Sequence, residues 1–160
     1  MKTIIVYSTK YDFTKERVHE IAASLESDVK LVNINEEKPP NLEAFDAVIL
    51  GGSVFMGQIN KTLKAFCVEN EAILNSKKLG LFLSCGLPDN VDTHFSNAYP
   101  QSLLDHATTK VNLGGELRLS QMSFGDKMIT KMMIKATEKE GGKLPTANTS
   151  AIKELVNGFA

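Results

Sequence analysis

The sequence contains little cysteine, and this bounds both its covalent structure and its redox chemistry. Its two cysteines, Cys67 and Cys85, are too few for a disulfide scaffold. Cys67 falls on the apolar face of a predicted helix and is interpreted as a small core residue. For Cys85 we favour packing as well, with a thiol relay as the alternative.

The sequence also lacks a long apolar run and a marked excess of charge of either sign. No segment is apolar enough to span a bilayer, and the first residues lead into a predicted strand rather than a signal peptide, so we expect a cytoplasmic protein. The net charge of −1 at pH 7 offers no field that would attract nucleic acid, and no strongly acidic surface. At 160 residues, a single domain over 1–160 is the natural expectation.

Several catalytic and metal-binding motifs are absent. There is no P-loop and no dinucleotide fingerprint. Ser53 follows Gly51-Gly52, which is not the G-x-S-x-G elbow of a hydrolase. The three histidines, His19, His94 and His106, show no metal-ligand spacing with either cysteine, and we interpret them as surface or capping residues.

Apolar runs alternate with amphipathic helical patterns along the chain. The predicted strands are 2–7, 29–34, 47–50, 79–83 and 111–119, and the predicted helices are 14–26, 58–74, 93–107 with an interruption near Pro100, 122–139 and 148–158. This alternation predicts an α/β fold in which a doubly wound, five-stranded parallel sheet carries helices on both faces.

The end of the first strand has the character of an anion site. The apolar run 4–7 stops at hydroxyl residues, and a helical pattern begins at Thr14, a favourable N-cap residue. Free amides and the positive end of the helix point into such a loop. Ser8, Thr9 and Thr14 add hydroxyl donors and Lys10 offers a positive charge, so the loop suits a phosphate. The alternative is a simple turn with a helix cap.

Small or hydroxyl residues also follow the third and fourth strands. In a parallel sheet these ends share one edge, where open α/β sheets bind their ligands. The loop 53–57 offers the ring of Phe55 and the flexible side chain of Met56, and the loop 84–88 offers backbone groups with little bulk. A phosphate beside a flat, partly apolar body describes flavin mononucleotide (FMN), although Phe55 as a core residue remains an equal alternative.

At these residues the chain resembles the flavodoxin family over nearly its full length. The segment 7–14 is similar to the phosphate loop of that family, and 51–57 is similar to the loop that packs against the isoalloxazine. The segment 115–118 and the Met- and Lys-rich helix 122–139 resemble the branch that contains the flavodoxin-type bacterial protoporphyrinogen dehydrogenases. The resemblance implies a flavodoxin-like sheet of strand order 2-1-3-4-5 and FMN as the cofactor.

The resemblance also implies a cofactor site formed by three loops, with no residue that must act as a catalytic acid or base. The implied residues are Ser8, Thr9, Lys10, Tyr11, Asp12, Phe13 and Thr14 around the phosphate, and Ser53, Val54, Phe55, Met56, Gly57, Ser84, Cys85, Gly86 and Leu87 around the ring. One departure stands out, because the family usually has glycine where this chain has Asp12. Its carboxylate would lie near a dianionic phosphate and would weaken binding unless it points away or Lys10 screens it.

Three functions follow from the resemblance. The first is an FMN-dependent oxidoreductase that takes electrons from a tetrapyrrole precursor and passes them to a quinone or another acceptor. The second is a soluble electron carrier, but carriers of this kind usually need strongly acidic faces, and the near-neutral charge argues against it. The third is a non-enzymatic domain with a weakened FMN site, an interpretation that Asp12 keeps open.

The predicted helix 122–139 carries lysines four residues apart at 127, 131, 135 and 139. Apolar residues lie beside this stripe at 128, 129, 132, 133 and 136. We favour a surface helix that packs these residues on the sheet. The alternative is contact with a partner or a membrane surface, for which methionine supplies adaptable apolar contact and lysine meets anionic headgroups.

Overall fold

The structure is a computed structural model, and it describes residues 1–9, 12–54, 58–85, 91–115, 123–139, 148 and 150–159. Within these ranges, strands and helices alternate as the sequence predicts. In chain order they are β1 (Lys2–Ser8), α1 (Asp12–Ser24), β2 (Asp28–Asn33), β3 (Ala47–Ser53), α2 (Lys61–Glu69), α3 (Glu71–Leu74), β4 (Lys78–Ser84), α4 (Val91–Ala98), α5 (Gln101–His106), β5 (Thr109–Asn112), α6 (Phe124–Lys139) and α7 (Ser150–Asn157), with a 3-10 turn at Leu42–Ala44. None of the helices described is both long enough and apolar enough to cross a membrane.

The five strands form one parallel sheet in the order β2-β1-β3-β4-β5, which confirms the predicted fold class and strand order. Strand β1 pairs with β2 on one side and β3 on the other, so that Ile5 lies opposite Leu31 and Ile49. The strand order reverses between β1 and β3. This is the topological switch point, where open α/β sheets bind ligands.

Both faces of the sheet are covered, which explains why its three central strands, β1, β3 and β4, carry continuous apolar runs. Ile4 and Val6 point into a core beneath α2 and α5, whereas Ile5 and Tyr7 point into a second core beneath α1 and α7. Because successive side chains of a strand alternate between faces, one uninterrupted apolar run serves both cores.

The predicted helix 58–74 is two helices. Helix α2 begins after Asn60, whose side-chain oxygen accepts hydrogen bonds from the backbone N–H of Thr62 (2.8 Å) and Leu63 (3.2 Å). It ends at Asn70, whose side-chain amide donates to the Phe66 carbonyl at 2.9 Å. The Asn70 N–H donates to the same carbonyl at 3.0 Å, and the backbone leaves helical geometry at Asn70 (φ −110°, ψ 17°), which separates α2 from α3.

Three other boundaries also differ from the predictions. Strand β3 continues past Leu50 to Ser53, because Gly51 and Gly52 pair with β4 as regular strand residues. Helix α1 begins at Asp12 rather than at Thr14. Strand β5 ends at Asn112, well before residue 119, and Gly114 then adopts a positive φ of 77°. Residues 116–119 of the predicted strand lie outside the described residues.

Candidate functional site

The carboxyl ends of the strands place small polar residues side by side at one edge of the sheet. In the strand register, Ser8 at the end of β1 lies opposite Gly52 of β3, and Ser53 lies opposite Ser84 of β4. The sequence therefore predicts correctly that the ends of the first, third and fourth strands come together. The edge belongs to the switch point between β1 and β3.

Ser8 is buried at this edge, and its hydroxyl group has no hydrogen-bond partner within the part of the chain that the structure describes. A buried hydroxyl without a partner costs stability, and such groups are uncommon in native proteins. The Ser8 side chain also restricts position 52, where only glycine fits, since a Cβ built on Gly52 would overlap the Oγ atom of Ser8. The sheet thus keeps a hydrogen-bonding group free and leaves no room for a side chain beside it.

Helix α1 begins directly after this strand end and contributes its first turn to the site. The first amides of a helix have no partners within it, and the helix dipole favours negative charge there. Thr14 lies buried within this turn rather than capping it, which corrects its predicted role as N-cap but keeps its hydroxyl group in the first turn. Phe13 is buried and lies under the Arg17 guanidinium, 5.3 Å from the ring centroid, so its backbone is the part available to a ligand.

The end of β4 provides a second hydroxyl group without a partner. Ser84 is buried, and its Oγ atom has no hydrogen-bond partner among the described residues. In the register Ser8 is level with Gly52 and Leu83, and Ser84 lies one position further along β4. Since side chains alternate along a strand, the Ser8 and Ser84 hydroxyls project from opposite faces of the sheet at the same carboxyl edge.

Asn112 holds the turn that follows Ser84. Its side-chain oxygen accepts from the Cys85 N–H at 3.0 Å, and its side-chain amide donates to the Cys85 carbonyl at 2.9 Å. The same oxygen accepts from the Gly114 N–H at 3.0 Å. Asn112 was not among the predicted site residues, because the sequence reasoning placed it inside a strand over 111–119 rather than at the end of one.

Two further asparagines connect the ends of β1 and β3. The Asn35 side-chain amide donates to the Thr9 carbonyl at 2.9 Å, and the Asn60 amide donates to the Asn35 side-chain oxygen at 2.9 Å. Since Asn60 also caps α2, the loop after β1 is tied through Asn35 to the start of a helix on the opposite face. These residues position the site and were likewise missed by the sequence reasoning.

Of the predicted site residues, the structure brings six together at this edge by their placement in the sheet and in α1. They are Ser8, Thr9, Thr14, Ser53, Ser84 and Cys85, with Val54 joined to them because its N–H donates to the Ser84 carbonyl at 3.0 Å. Lys10, Tyr11, Phe55, Met56, Gly57, Gly86 and Leu87 lie outside the described residues, as does the side chain of Asp12.

The cysteines and histidines behave in different ways. Cys67 is fully buried, which confirms the core interpretation, and burial raises the pKa of its thiol to about 12. Cys85 is buried as well, as the packing interpretation predicts. His106 is exposed, as predicted for a surface residue, and its Nε2 atom lies 2.7 Å from the Lys77 carbonyl oxygen. His94 is half-buried on α4, and its Nδ1 atom is buried with no hydrogen-bond partner among the described residues.

The donor set fits a phosphate-bearing flavin nucleotide. The N-terminal end of α1 with the hydroxyls of Ser8 and Thr14 suits a phosphate, and the end of β4 offers backbone groups and the Ser84 hydroxyl to the edge of a ring. In the described part of the chain, no group of three or more histidine, cysteine, aspartate or glutamate side chains is arranged to hold a metal ion.

Comparison with known proteins agrees with this geometry. Residues 4–143 match the flavodoxin domain family. The chain belongs to this family. The match spans all five strands and ends before α7. This assignment supports the FMN cofactor that the sequence resemblance implied.

Two groups of similar proteins stand out within this family. Protoporphyrinogen IX dehydrogenase [quinone] of Escherichia coli is 24% identical over 156 residues, covering 91% of this chain and 84% of that protein. Oxidised flavodoxin 1 from Bacillus cereus is 16% identical with a TM-score of 0.52, covering 83% of this chain and 94% of the other. A flavodoxin from the domain Archaea is 21% identical with a TM-score of 0.53, covering 87% and 98%. At these identities the solved structures support the fold alone.

Proposed function

We propose that this flavodoxin-family protein is an FMN-dependent oxidoreductase, related in activity to protoporphyrinogen dehydrogenase. It takes electrons from a tetrapyrrole precursor and passes them to a quinone. The observation that carries the FMN site is the buried Ser8 hydroxyl, which has no hydrogen-bond partner among the described residues and lies at the strand end where helix α1 begins. The similarity to the Escherichia coli dehydrogenase, which extends over most of both chains, supports the choice of reaction.

Different elements of the chain bind the phosphate and the ring of this cofactor. The first turn of α1 and the hydroxyls of Ser8 and Thr14 bind the phosphate. Asn112 fixes the backbone of Cys85, so that the turn after β4 presents its polar groups to the ring in a set position. Bound FMN supplies the electron-transfer chemistry, while the protein supplies binding and orientation.

The charge of the chain favours an enzyme over a carrier. Electron carriers that dock basic partners use an acidic surface to steer encounter, and this chain has a net charge of −1. An enzyme that binds a small organic substrate has no such requirement. The carrier function is the alternative that the experiment must distinguish.

The first test is the absorption spectrum of the purified protein. We expect the visible bands of a bound flavin, or their appearance after incubation with FMN. A protein that neither contains nor takes up FMN contradicts the proposal and favours the non-enzymatic interpretation.

The second test separates an enzyme from a carrier. The FMN-loaded protein is incubated with protoporphyrinogen and a soluble quinone, and porphyrin fluorescence is followed. We expect turnover that depends on the quinone and that is reduced in Ser8→Ala in proportion to its loss of FMN. A fully loaded protein without turnover contradicts the enzymatic assignment and leaves the carrier.

A further inference from the structure

Helix α6 turns its largest apolar side chains towards solvent. The exposed fractions are 80% for Phe124, 52% for Met128 and 68% for Met132, with 41% for Met133. The favoured interpretation, a helix that packs these methionines on the sheet, is therefore wrong. Three large apolar residues at i, i+4 and i+8 form a continuous exposed row on one side of the helix.

The inward side of α6 is polar instead. Asp126 and Thr130, four residues apart, are the buried members of this helix, with exposed fractions of 9% and 2%. Ser123 begins the helix: its hydroxyl accepts from the Asp126 N–H at 3.4 Å, and its carbonyl accepts from the Lys127 N–H at 2.8 Å. Among the described side chains of α6, these two buried residues lie between the half-buried Ile129 and Ile134, whereas the apolar row 124, 128 and 132 lies on the opposite, exposed side.

Lysines share the outward face with this row. At 3.6 residues per turn, positions 131, 135 and 139 fall within the same arc of about 100° as positions 124, 128 and 132. All three lysines are exposed. Long lysine stems can lie along apolar surface while their ammonium groups reach outward, so the face, which we call the Phe/Met/Lys face (124, 128, 131, 132, 135 and 139), is at once apolar and cationic.

The segment that carries α6 is anchored at the edge of the sheet that holds the candidate site. It leaves β5 after Leu113 and returns at Asn148, whose N–H donates to the Leu113 carbonyl at 2.9 Å. The Asn148 side-chain amide also donates to the Asn112 carbonyl at 2.9 Å. Asn112 in turn holds Cys85, so the excursion with α6 and the turn after β4 share one anchor.

From this face we infer that α6 is a docking surface for an anionic lipid bilayer. A bilayer surface offers negative headgroups above an apolar layer, and this combination matches lysines and large apolar side chains that project in the same direction. Pairing two copies through the same face is disfavoured, because a two-fold contact would bring the lysines of both copies together. The inference rests on the exposed residues of α6 and not on the proposed reaction.

The test is co-sedimentation of the full chain with vesicles of two compositions. We expect binding to equimolar phosphatidylcholine and phosphatidylglycerol, little binding to phosphatidylcholine alone, and loss of binding as salt is raised. The triple variant Lys131→Gln, Lys135→Gln, Lys139→Gln should bind about a hundredfold more weakly, since each lysine near an anionic surface contributes a factor of about five. The matched control, Lys30→Gln, Lys61→Gln, Lys153→Gln, removes the same charge from exposed positions elsewhere and should bind like the wild type.

The apolar half of the face is tested separately with a fluorescent reporter. The sequence contains no tryptophan, so Phe124→Trp introduces a single one. Its emission should shift to the blue on mixing with the anionic vesicles, whereas Val68→Trp, at an exposed apolar position on α2, should show no shift. Far-UV circular dichroism and melting temperature establish that each variant is folded.

Four outcomes overturn the inference. They are equal binding to neutral vesicles, unchanged binding of the triple lysine variant, self-association through this face without vesicle binding, and binding to soluble polyglutamate but not to vesicles. The third would assign the face to a second copy of the chain, and the fourth to an acidic protein.

Discussion

The side-chain amide of Asn112 is hydrogen-bonded to both backbone groups of Cys85, at 3.0 Å to the N–H and 2.9 Å to the carbonyl. A side chain that satisfies the donor and the acceptor of one residue fixes the plane of two peptide groups at once. Those groups follow Ser84 at the ligand edge of the sheet. Strand β5 therefore positions the turn after β4 through one side chain, that of Asn112 at the end of the strand.

Replacing Asn112 should therefore weaken both the fold and cofactor binding. Asn112→Ala leaves the Cys85 backbone groups and the Gly114 N–H without their partner, which we expect to cost about 1–3 kcal/mol in the free energy of unfolding. FMN affinity should fall as well, because the turn after β4 loses its fixed position. Urea unfolding and a fluorescence titration with FMN measure the two effects.

A matched asparagine provides the control for this variant. Asn75→Ala also removes two side-chain hydrogen bonds, to the Glu71 carbonyl and the Ser102 hydroxyl, each at 3.0 Å. These lie on α3 and α5, away from the strand ends. We expect it to lower stability without changing FMN affinity. If Asn112→Ala also left the FMN dissociation constant unchanged, the turn after β4 would not contact the cofactor.

Much of the fold could be predicted from local pattern. Continuous apolar runs identified the three central strands because a sheet covered on both faces needs them, and the positions of hydroxyls and glycines after these strands located the site edge. The helix break at Asn70 was not predictable from periodicity, because the apolar spacing continues through a residue whose backbone leaves helical geometry. The apolar positions of α6 kept their spacing, but spacing cannot tell which side faces the protein.

The parts of the site that sequence reasoning missed depend on contacts between residues far apart in the chain. Asn35 reaches Thr9 across 26 positions, and Asn112 reaches Cys85 across 27. Neither asparagine belongs to a motif, and each becomes a site residue only because the parallel sheet brings strand ends together. The sequence pattern therefore predicted residues proposed to contact the ligand, but not Asn35 and Asn112, which position those residues.

Asp12 should oppose binding of the phosphate. It is the first residue of α1, where a negative charge stabilises the helix by about 0.3–1 kcal/mol, yet the same helix end is the proposed dianion site. We predict that Asp12→Asn and Asp12→Gly bind FMN severalfold more tightly, with a difference that shrinks as salt is raised. Asp28→Asn, at the opposite end of the sheet, is the matched control. Unchanged affinity in Asp12→Asn would show that the carboxylate is oriented away from the phosphate.

The buried core should make the protein sensitive to alkaline pH. Burial raises the pKa of the Cys67 thiol from its ordinary 9.0 to about 12 and the pKa of the Tyr99 phenol well above its ordinary 10.0. Below pH 9 both groups are protonated in the folded and the unfolded chain, so this stabilisation is fully present. As the pH rises further, the unfolded chain releases protons that the folded chain retains, and the free energy of unfolding falls, by about 1 kcal/mol per pH unit for each group.

Urea unfolding between about pH 8 and pH 11 measures this slope. Cys67→Ala removes one of the two groups and should flatten the curve above pH 9, although it lowers stability at neutral pH through lost packing. The hydroxyl group of Tyr99 donates to the Phe82 carbonyl at 2.7 Å, so that Tyr99→Phe leaves a buried acceptor unpaired as it removes the second group. A slope that is the same in the wild type and in Cys67→Ala would mean that the thiol ionises normally in the folded protein.

Substitution of Ser8 should change stability and FMN affinity in opposite directions. The Ser8 hydroxyl is buried without a partner, so Ser8→Ala should stabilise the cofactor-free protein by about 1 kcal/mol or more. The same change removes a donor to a charged phosphate, which is typically worth about 1.5–3 kcal/mol, so FMN binding should weaken by roughly 10- to 100-fold. A Ser8→Ala variant that is less stable without cofactor would contradict the assignment of a free hydroxyl.

Gly52→Ala should harm both properties, because its new Cβ overlaps the Ser8 Oγ atom and lies 3.1 Å from Leu63 Cδ2. Combining it with Ser8→Ala removes the first overlap and should restore part of the stability but none of the affinity. Gly125→Ala is the control, since its Cβ would have no heavy atom within 4 Å. It should leave FMN binding unchanged and, as an alanine in a helix, raise stability slightly. Stability and affinity that recovered together in the double variant would mean that Gly52 is required for packing alone and that the Ser8 hydroxyl does not hold the phosphate.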